Sequence, residues 1–243
     1  MRFVWPWIAA VATLAGPATA QTPPAADPYI WLDEIEGAKA LEWVRARNKA
    51  TLAVLESDPR HKTSHEQALA LLQAKDRIAY PGFAPPGLYN FWQDATHVRG
   101  IVRRTTLASY RSGTPDWETV LDIDALAKAD GANWVYKGKS CLRPDERLCM
   151  IALSNGGKDA TVRRELDTVS RAFVAGGFAL PEAKSKIDWL DRDTLLVATD
   201  WGEGSLTTSG YPYIVKRWTR GTPLSAAVEV FRGTVDDVSA SPY

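Results

Sequence analysis

A few groups of residues in this sequence have types and spacings that could do chemistry. Ala152-Leu153-Ser154-Asn155-Gly156 comes close to the G-x-S-x-G elbow that lifts a nucleophilic serine above a sheet, with alanine in place of the first glycine. That elbow needs a helix after the serine, and TVRREL over 161–166 reads as a strand. The fold that uses it also orders its triad Ser, acid, His, whereas His61, His65 and His97 all precede Ser154. Ser154 is therefore expected in a turn between strands, with no catalytic role. His61 and His65 stand four apart, a spacing that binds zinc from one face of a helix. Thr63 reads as the helix cap and leaves His61 outside, and no glutamate completes H-E-x-x-H, so no metal site is expected. The glycines of SNGGKD and DWGEGS lack the G-K-[ST] of a phosphate loop and read as turns, so no cofactor is expected.

Cys141 and Cys149 are the only cysteines and flank LRPDERL, in which Pro144-Asp145 carries turn chemistry. A hairpin across that turn brings the two sulfurs together, and a disulfide is the expectation. Two separate small core residues are the alternative. Trp117, Trp134, Trp189, Trp201 and Trp218 admit two uses, stacking on a sugar or peptide and filling space between strand-rich repeats; packing is expected.

The elements that must position these residues follow from pattern and composition. The chain has 243 residues, 29 basic and 29 acidic, with 45% hydrophobic residues. That balance excludes bulk disorder and argues against a nucleic-acid partner, which calls for a basic excess. Residues 1–20 combine Arg2, an apolar run from about Phe3 to Ala15, and Ala18-Thr19-Ala20, a small-x-small cleavage pattern. The expectation is a cleavable signal peptide cut after Ala20, placing the mature chain in the periplasm or outside the cell, off the membrane. A retained apolar anchor is the alternative. Residues 21–77 read as a polar leader and two helices. The first spans 37–56 with Trp43, Val44 and Leu52 in its apolar stripe, and stops before Asp58-Pro59. The second spans 64–77, capped by Thr63 with Glu66 three residues on, and buries Leu69, Leu71 and Leu72. From 78 to 243 the texture is short strands and turns with no useful helical period. The strands are expected at 88–93, 98–105, 117–121, 133–136, 148–154 and 161–166. Further ones follow at 171–174, 186–190, 194–199, 213–218, 227–231 and 235–238.

A weak repeat at an offset of 46 aligns Asp145 with Asp191, Ile151 with Val197, Ala152 with Ala198 and Gly156 with Gly202. Repeats of roughly 40–50 residues with four short strands mark propeller blades. A β-sandwich is the alternative.

The opening DPYIWLDEIEGAKALEWVRARNKAT resembles the start of the prolyl oligopeptidase family of serine peptidases, through Asp27, Pro28, Tyr29, Trp31, Leu32, Trp43, Val44 and Asn48. RIAYPGFAPPGLYNFWQD, WETVLDIDAL and CMIALSNGGKDATVRRELD look like that family's first blades. The resemblance implies a mainly β chain with N-terminal helices: a partial propeller, about three of seven blades and the first strand of a fourth, behind a two-helix segment. It also implies cleavage of short peptides after proline by a Ser-Asp-His triad in a C-terminal hydrolase domain absent from this sequence. The chain would carry the start of a gate, be inactive alone, and meet a peptide substrate only in the full-length context. The alternative is a non-enzymatic periplasmic module, propeller-like, that binds peptide or carbohydrate.

Overall fold

The computed structural model describes residues 27–243; the expected signal peptide lies outside the described residues. The chain divides into two compact units, one ending at Ser64 and one running from His65 to Tyr243.

The first unit opens on a local knot. The Asp27 carboxylate accepts the Tyr29 amide at 2.8 Å, and the Trp31 indole donates to the Pro28 carbonyl at 2.9 Å. A 3₁₀ turn over Ile30–Asp33 leads into helix α1, Ala38–Glu56. Trp31 meets Trp43 of α1 edge to face, centroids 6.4 Å apart. The apolar stripe of α1 is uncovered, with Trp43, Val44 and Leu52 each about two-fifths exposed or more, and Ala40 is its one buried residue.

Helix α2 runs Pro59–Gln73, which corrects the expected span of 64–77. Asp58-Pro59 ends one helix and starts the next. The Asp58 carboxylate caps the Arg60 amide at 2.9 Å, and proline at the first helical position loses no bond, since its missing N–H would have had no partner there. Thr63 is therefore not a cap, and His61 lies inside the helix, contrary to expectation. Leu69, Leu71 and Leu72 are exposed where burial was expected. Among the described residues no helix is long and apolar enough to cross a membrane.

The second unit holds three antiparallel sheets whose strands pair in sequence order, except that β8 and β9 both pair with β7. The first sheet comprises β1 (Gly82–Ala84), β2 (Gly87–Trp92), β3 (Ile101–Thr105) and β4 (Glu118–Asp122). The second comprises β5 (Trp134–Cys141), β6 (Leu148–Asn155) and β7 (Thr161–Asp167), whose far edge is shared by β8 (Ala172–Phe173) and β9 (Ala179–Ala183). The third comprises β10 (Lys186–Asp191), β11 (Thr194–Ala198), β12 (Ile214–Thr219) and β13 (Val228–Arg232). These are blade-like units, three in number, and the mainly β expectation stands. The expected strand at 235–238, the start of a fourth blade, is absent: turns and bends occupy that stretch.

Two short helices break the expectation that none follows residue 78. Helix α3 (Leu107–Arg111) is capped by the Thr106 hydroxyl, which accepts the Ser109 amide at 3.1 Å. Helix α4 (Ile123–Asp130) is capped by Asp122, which accepts the Ala125 amide at 2.9 Å. They have five and eight residues, too short for a period to register.

The second sheet is packed on both faces, which explains the unbroken apolar run of β6. Cys149, Ile151 and Leu153 face the first sheet, against Tyr89, Val102, Val120, Leu121 and Ile123. Met150 faces the third, with Leu195, Val197 and Trp218. The flanking strand β11 has one face toward the second sheet and alternates accordingly. The repeat at offset 46 is real in three dimensions. β6 and β11 are each the second strand of their sheet, Ile151 and Val197 are both fully buried, and Gly156 and Gly202 turn the chain after them at φ +79° and +106°.

Candidate functional site

The first strands of all three sheets line one groove of about 970 Å³. β1 contributes Phe83 and Ala84, β5 contributes Lys139 and Cys141, and β10 contributes Asp188 and Trp189. The apolar side comes from β2 and β5, where Phe91 stacks on Tyr136 with centroids 4.9 Å apart. Burial pushes the Tyr136 phenol up to about 12, so it stays neutral.

The polar wall is built by a bulge. In β5 the register passes from Tyr136 opposite Leu153 directly to Lys139 opposite Ile151, one residue more than regular pairing takes. Gly138, at φ +110°, sits in that extra space, in a conformation side chains resist. Regular alternation would put Tyr136 and Lys139 on opposite faces; the bulge puts both on the face toward the first sheet. Lys139 Nζ then lies 4.4 Å over the Tyr89 ring, 3.8 Å from Glu146 Oε2 and 3.3 Å from Cys141 Sγ. Burial holds the Lys139 ammonium below its usual range, against the opposing pull of Glu146.

Cys141 and Cys149 are in-register partners across β5 and β6 and are joined by a disulfide. It staples the hairpin whose turn supplies Leu142, Arg143 and Glu146 to the groove mouth. Cys149 is fully buried and Cys141 partly accessible from the groove.

Of the other singled-out residues, Trp189 alone lines the groove. Ser154 is fully buried at the end of β6, and its hydroxyl donates to the Lys158 carbonyl at 2.6 Å. Strand β7 follows, where a nucleophile elbow needs a helix. His61 and His65 lie on α2, and His97 caps back on Asp94, Nδ1 to carboxylate 3.2 Å. Among the described residues no cluster of three or more His, Cys, Asp or Glu could hold a metal. Trp189 and Trp218 pack edge to face on Phe178, at 5.8 and 4.8 Å. Trp134 and Trp201 also pack against core clusters, while Trp117 has the Arg103 guanidinium 4.4 Å over its ring.

Two features escaped the sequence reading. Lys139 was hidden by the bulge, and Gly138 inside a strand was the available signal. The second is an ion pair between sheets. Arg220, just past β12, donates two hydrogen bonds to the Glu165 carboxylate of β7, at 2.7 and 2.9 Å. Glu165 is buried and also accepts the Phe178 amide at 2.7 Å. The partners are 55 residues apart, and nothing local links them.

Comparison with known proteins adds the lineage. A family model described as the prolyl oligopeptidase N-terminal beta-propeller domain matches residues 12–241. An uncharacterized peptidase, y4nA of Sinorhizobium fredii, is 52% identical over 217 residues, 89% of this chain and 30% of its own length. An uncharacterized peptidase of Rickettsia prowazekii, RP174, is 29% identical over 210 residues. The chain thus spans about 30% of the length of the curated relatives it matches. Among solved structures, a post-proline cleaving enzyme from Rickettsia typhi superposes with a TM-score of 0.77 at 29% identity, over 84% of this chain and 31% of that one. Oligopeptidase B from Leishmania major, at 14% identity and a TM-score of 0.63 over 85% of this chain and 28% of that one, shares the fold.

Proposed function

Since the chain belongs to the prolyl oligopeptidase family, we propose that it forms the gating wall of a secreted or periplasmic peptidase that cuts short peptides after proline. The observation that carries this reading is the convergence of three first strands on one groove, where a propeller has its central channel. A groove of about 970 Å³, part aromatic and part charged, has room for an extended peptide of a few residues and none for a folded domain. The solved relative from Rickettsia typhi, described as post-proline cleaving, supports the proline preference.

The chemistry belongs to a longer product. Ser154, with its hydroxyl buried and bonded to a carbonyl, has no histidine to take its proton, and the chain alone is expected to be inactive. Acyl transfer from a serine in a hydrolase domain would supply turnover. The test compares the purified chain with the product of a reading frame continued past codon 243, on a Gly-Pro reporter. Expected is turnover by the longer product alone, abolished by a serine-directed inhibitor. Inhibitor-sensitive turnover by the 243-residue chain, or no continuing frame, overturns the reading. Secretion has its own check: mass spectrometry of the exported protein should find Gln21 at the N-terminus, and an intact Met1 would refute cleavage.

A further inference from the structure

The surroundings of the disulfide are lopsided. Cys141 Sγ has the Lys139 ammonium at 3.3 Å, whereas Cys149 Sγ has the Glu146 carbonyl oxygen at 3.4 Å. A cation stabilises a thiolate, and a carbonyl oxygen can only accept from a thiol. Access is lopsided in the same sense, because Cys141 lines the groove and Cys149 is fully buried.

We propose that Cys141 is a thiol-exchange site on the groove wall: a dithiol reductant opens the Cys141–Cys149 bond, Lys139 holds the Cys141 sulfur as a thiolate, and that thiolate attacks one sulfur of a small disulfide, forming a mixed-disulfide adduct and expelling the other half as a thiolate that takes a proton from solvent. A thiolate of the reductant attacks Cys141 Sγ. The sulfur–sulfur bond breaks, and its electron pair leaves on Cys149, which takes a proton from solvent and donates a hydrogen bond to the Glu146 carbonyl. The second thiol of the reductant, deprotonated, then attacks the mixed disulfide and expels Cys141 as a thiolate beside Lys139. The reductant departs as its own disulfide, having given up two electrons. The groove leaves space for an adduct of tripeptide size on Cys141, and none exists at Cys149. The charged and titratable groups around the site are Lys139 and Tyr136 on the same strand, Glu146 and Arg143 in the turn, Tyr89 on β2, Asp188 on β10 and Tyr243 at the C-terminus. Of these, Lys139 is the cation in contact with the sulfur.

The test is alkylation by iodoacetamide across pH 5–10 of the reduced chain, with glutathione disulfide as the exchange probe. Trypsin puts Cys141 and Cys149 on different peptides, so mass spectrometry reads each rate separately. Cys141 should titrate at least about one unit below an ordinary thiol near 8.5, and react about tenfold faster than Cys149 at neutral pH. Lys139→Met should raise the Cys141 titration to that of an ordinary thiol and slow its reaction at neutral pH, while Lys139→Arg should keep the lowered titration. Cys149→Ser, which carries Cys141 alone, should behave as the reduced chain does without any reduction step. Equal rates at the two cysteines, Cys149 modified first, or a Cys141 profile indifferent to Lys139→Met overturns the proposal. A chain that loosens on reduction gives equal rates and so counts against it.

Discussion

The two joints between neighbouring sheets solve the same packing problem with different chemistry. First and second sheets meet through an apolar centre, Tyr89, Val102 and Leu121 against Ile151, Leu153 and Leu166, with Phe91 stacked on Tyr136 and the Arg171–Glu118 ion pair in the exposed margin. Second and third sheets have an apolar centre as well, Met150 and Phe178 against Leu195, Val197 and Trp218, but carry a buried ion pair at one end. Glu165 is almost wholly buried and has Arg220 on two oxygens and the Phe178 amide on one. Arg220 also lies 4.4 Å over the Phe178 ring and donates to Asp193 at 2.9 Å. An apolar joint tolerates small shifts of one sheet against the next, whereas a two-pronged ion pair sets one registry. The groove depends on that registry, because β10 supplies one of its walls.

The comparison can be broken most directly at Arg220. Arg220→Met leaves the Glu165 carboxylate buried without its cation, and should cost about 3–5 kcal/mol in urea unfolding. A loss under about 1 kcal/mol would show that the ion pair does not hold the joint. Across the other joint, Leu153→Ala deletes fully buried methyl groups and should cost about 2–4 kcal/mol. Trp189→Phe keeps the ring contact with Phe178 but removes the indole hydrogen bond to the Ser140 carbonyl, 3.0 Å across the joint of second and third sheets. About 1 kcal/mol is expected, and a larger loss would mean packing dominates there too.

The smallest effect is the acid response of the first sheet. The Asp94 carboxylate accepts the His97 amide at 2.8 Å, the Trp92 indole at 2.9 Å and the Thr96 amide at 2.8 Å. Those donors, the His97 amide foremost, pull it down to about 2. A carboxyl depressed in the folded state stabilises fully above its unfolded value near 4 and loses that contribution as pH falls through the folded value. Stability of the chain should therefore drop between about pH 4 and 2, and Asp94→Asn should flatten that part of the profile. An unchanged slope in the variant would place the acid sensitivity elsewhere.

Much of this architecture was legible because it is local. Strands β6, β7, β10 and β11 fall within a residue or two of their expected limits: β6 and β11 are apolar runs, β7 and β10 mix apolar with charged residues, and turn residues bound them all. Helix α2 began earlier than expected because Asp58-Pro59 was read only as a stop. Strands β1 and β9 were missed: three residues of Gly-Phe-Ala and a strand interrupted by Pro181 carry little alternation. Lys139 was missed because a bulge changes the meaning of sequence spacing, and a face assignment three residues further on depends on it.

By itself the sequence determined the class of structure and its lineage. Turn residues, strand runs, a repeat of 46 and the opening DPYIWL are local signals, set by backbone preference and by apolar spacing. Tertiary structure alone decided what reaches the groove. Lys139 beside Cys141, and Glu165 beneath Arg220, come together through strand pairing and the stacking of sheets. The second pair depends on a joint between sheets, and the first follows from regular alternation after the bulge between Tyr136 and Lys139, which sets the face that both Lys139 and Cys141 occupy. The face of that strand and the pairing of Glu165 with Arg220 cannot be read along the chain, because buried charge is stabilised by partners that only the folded geometry supplies.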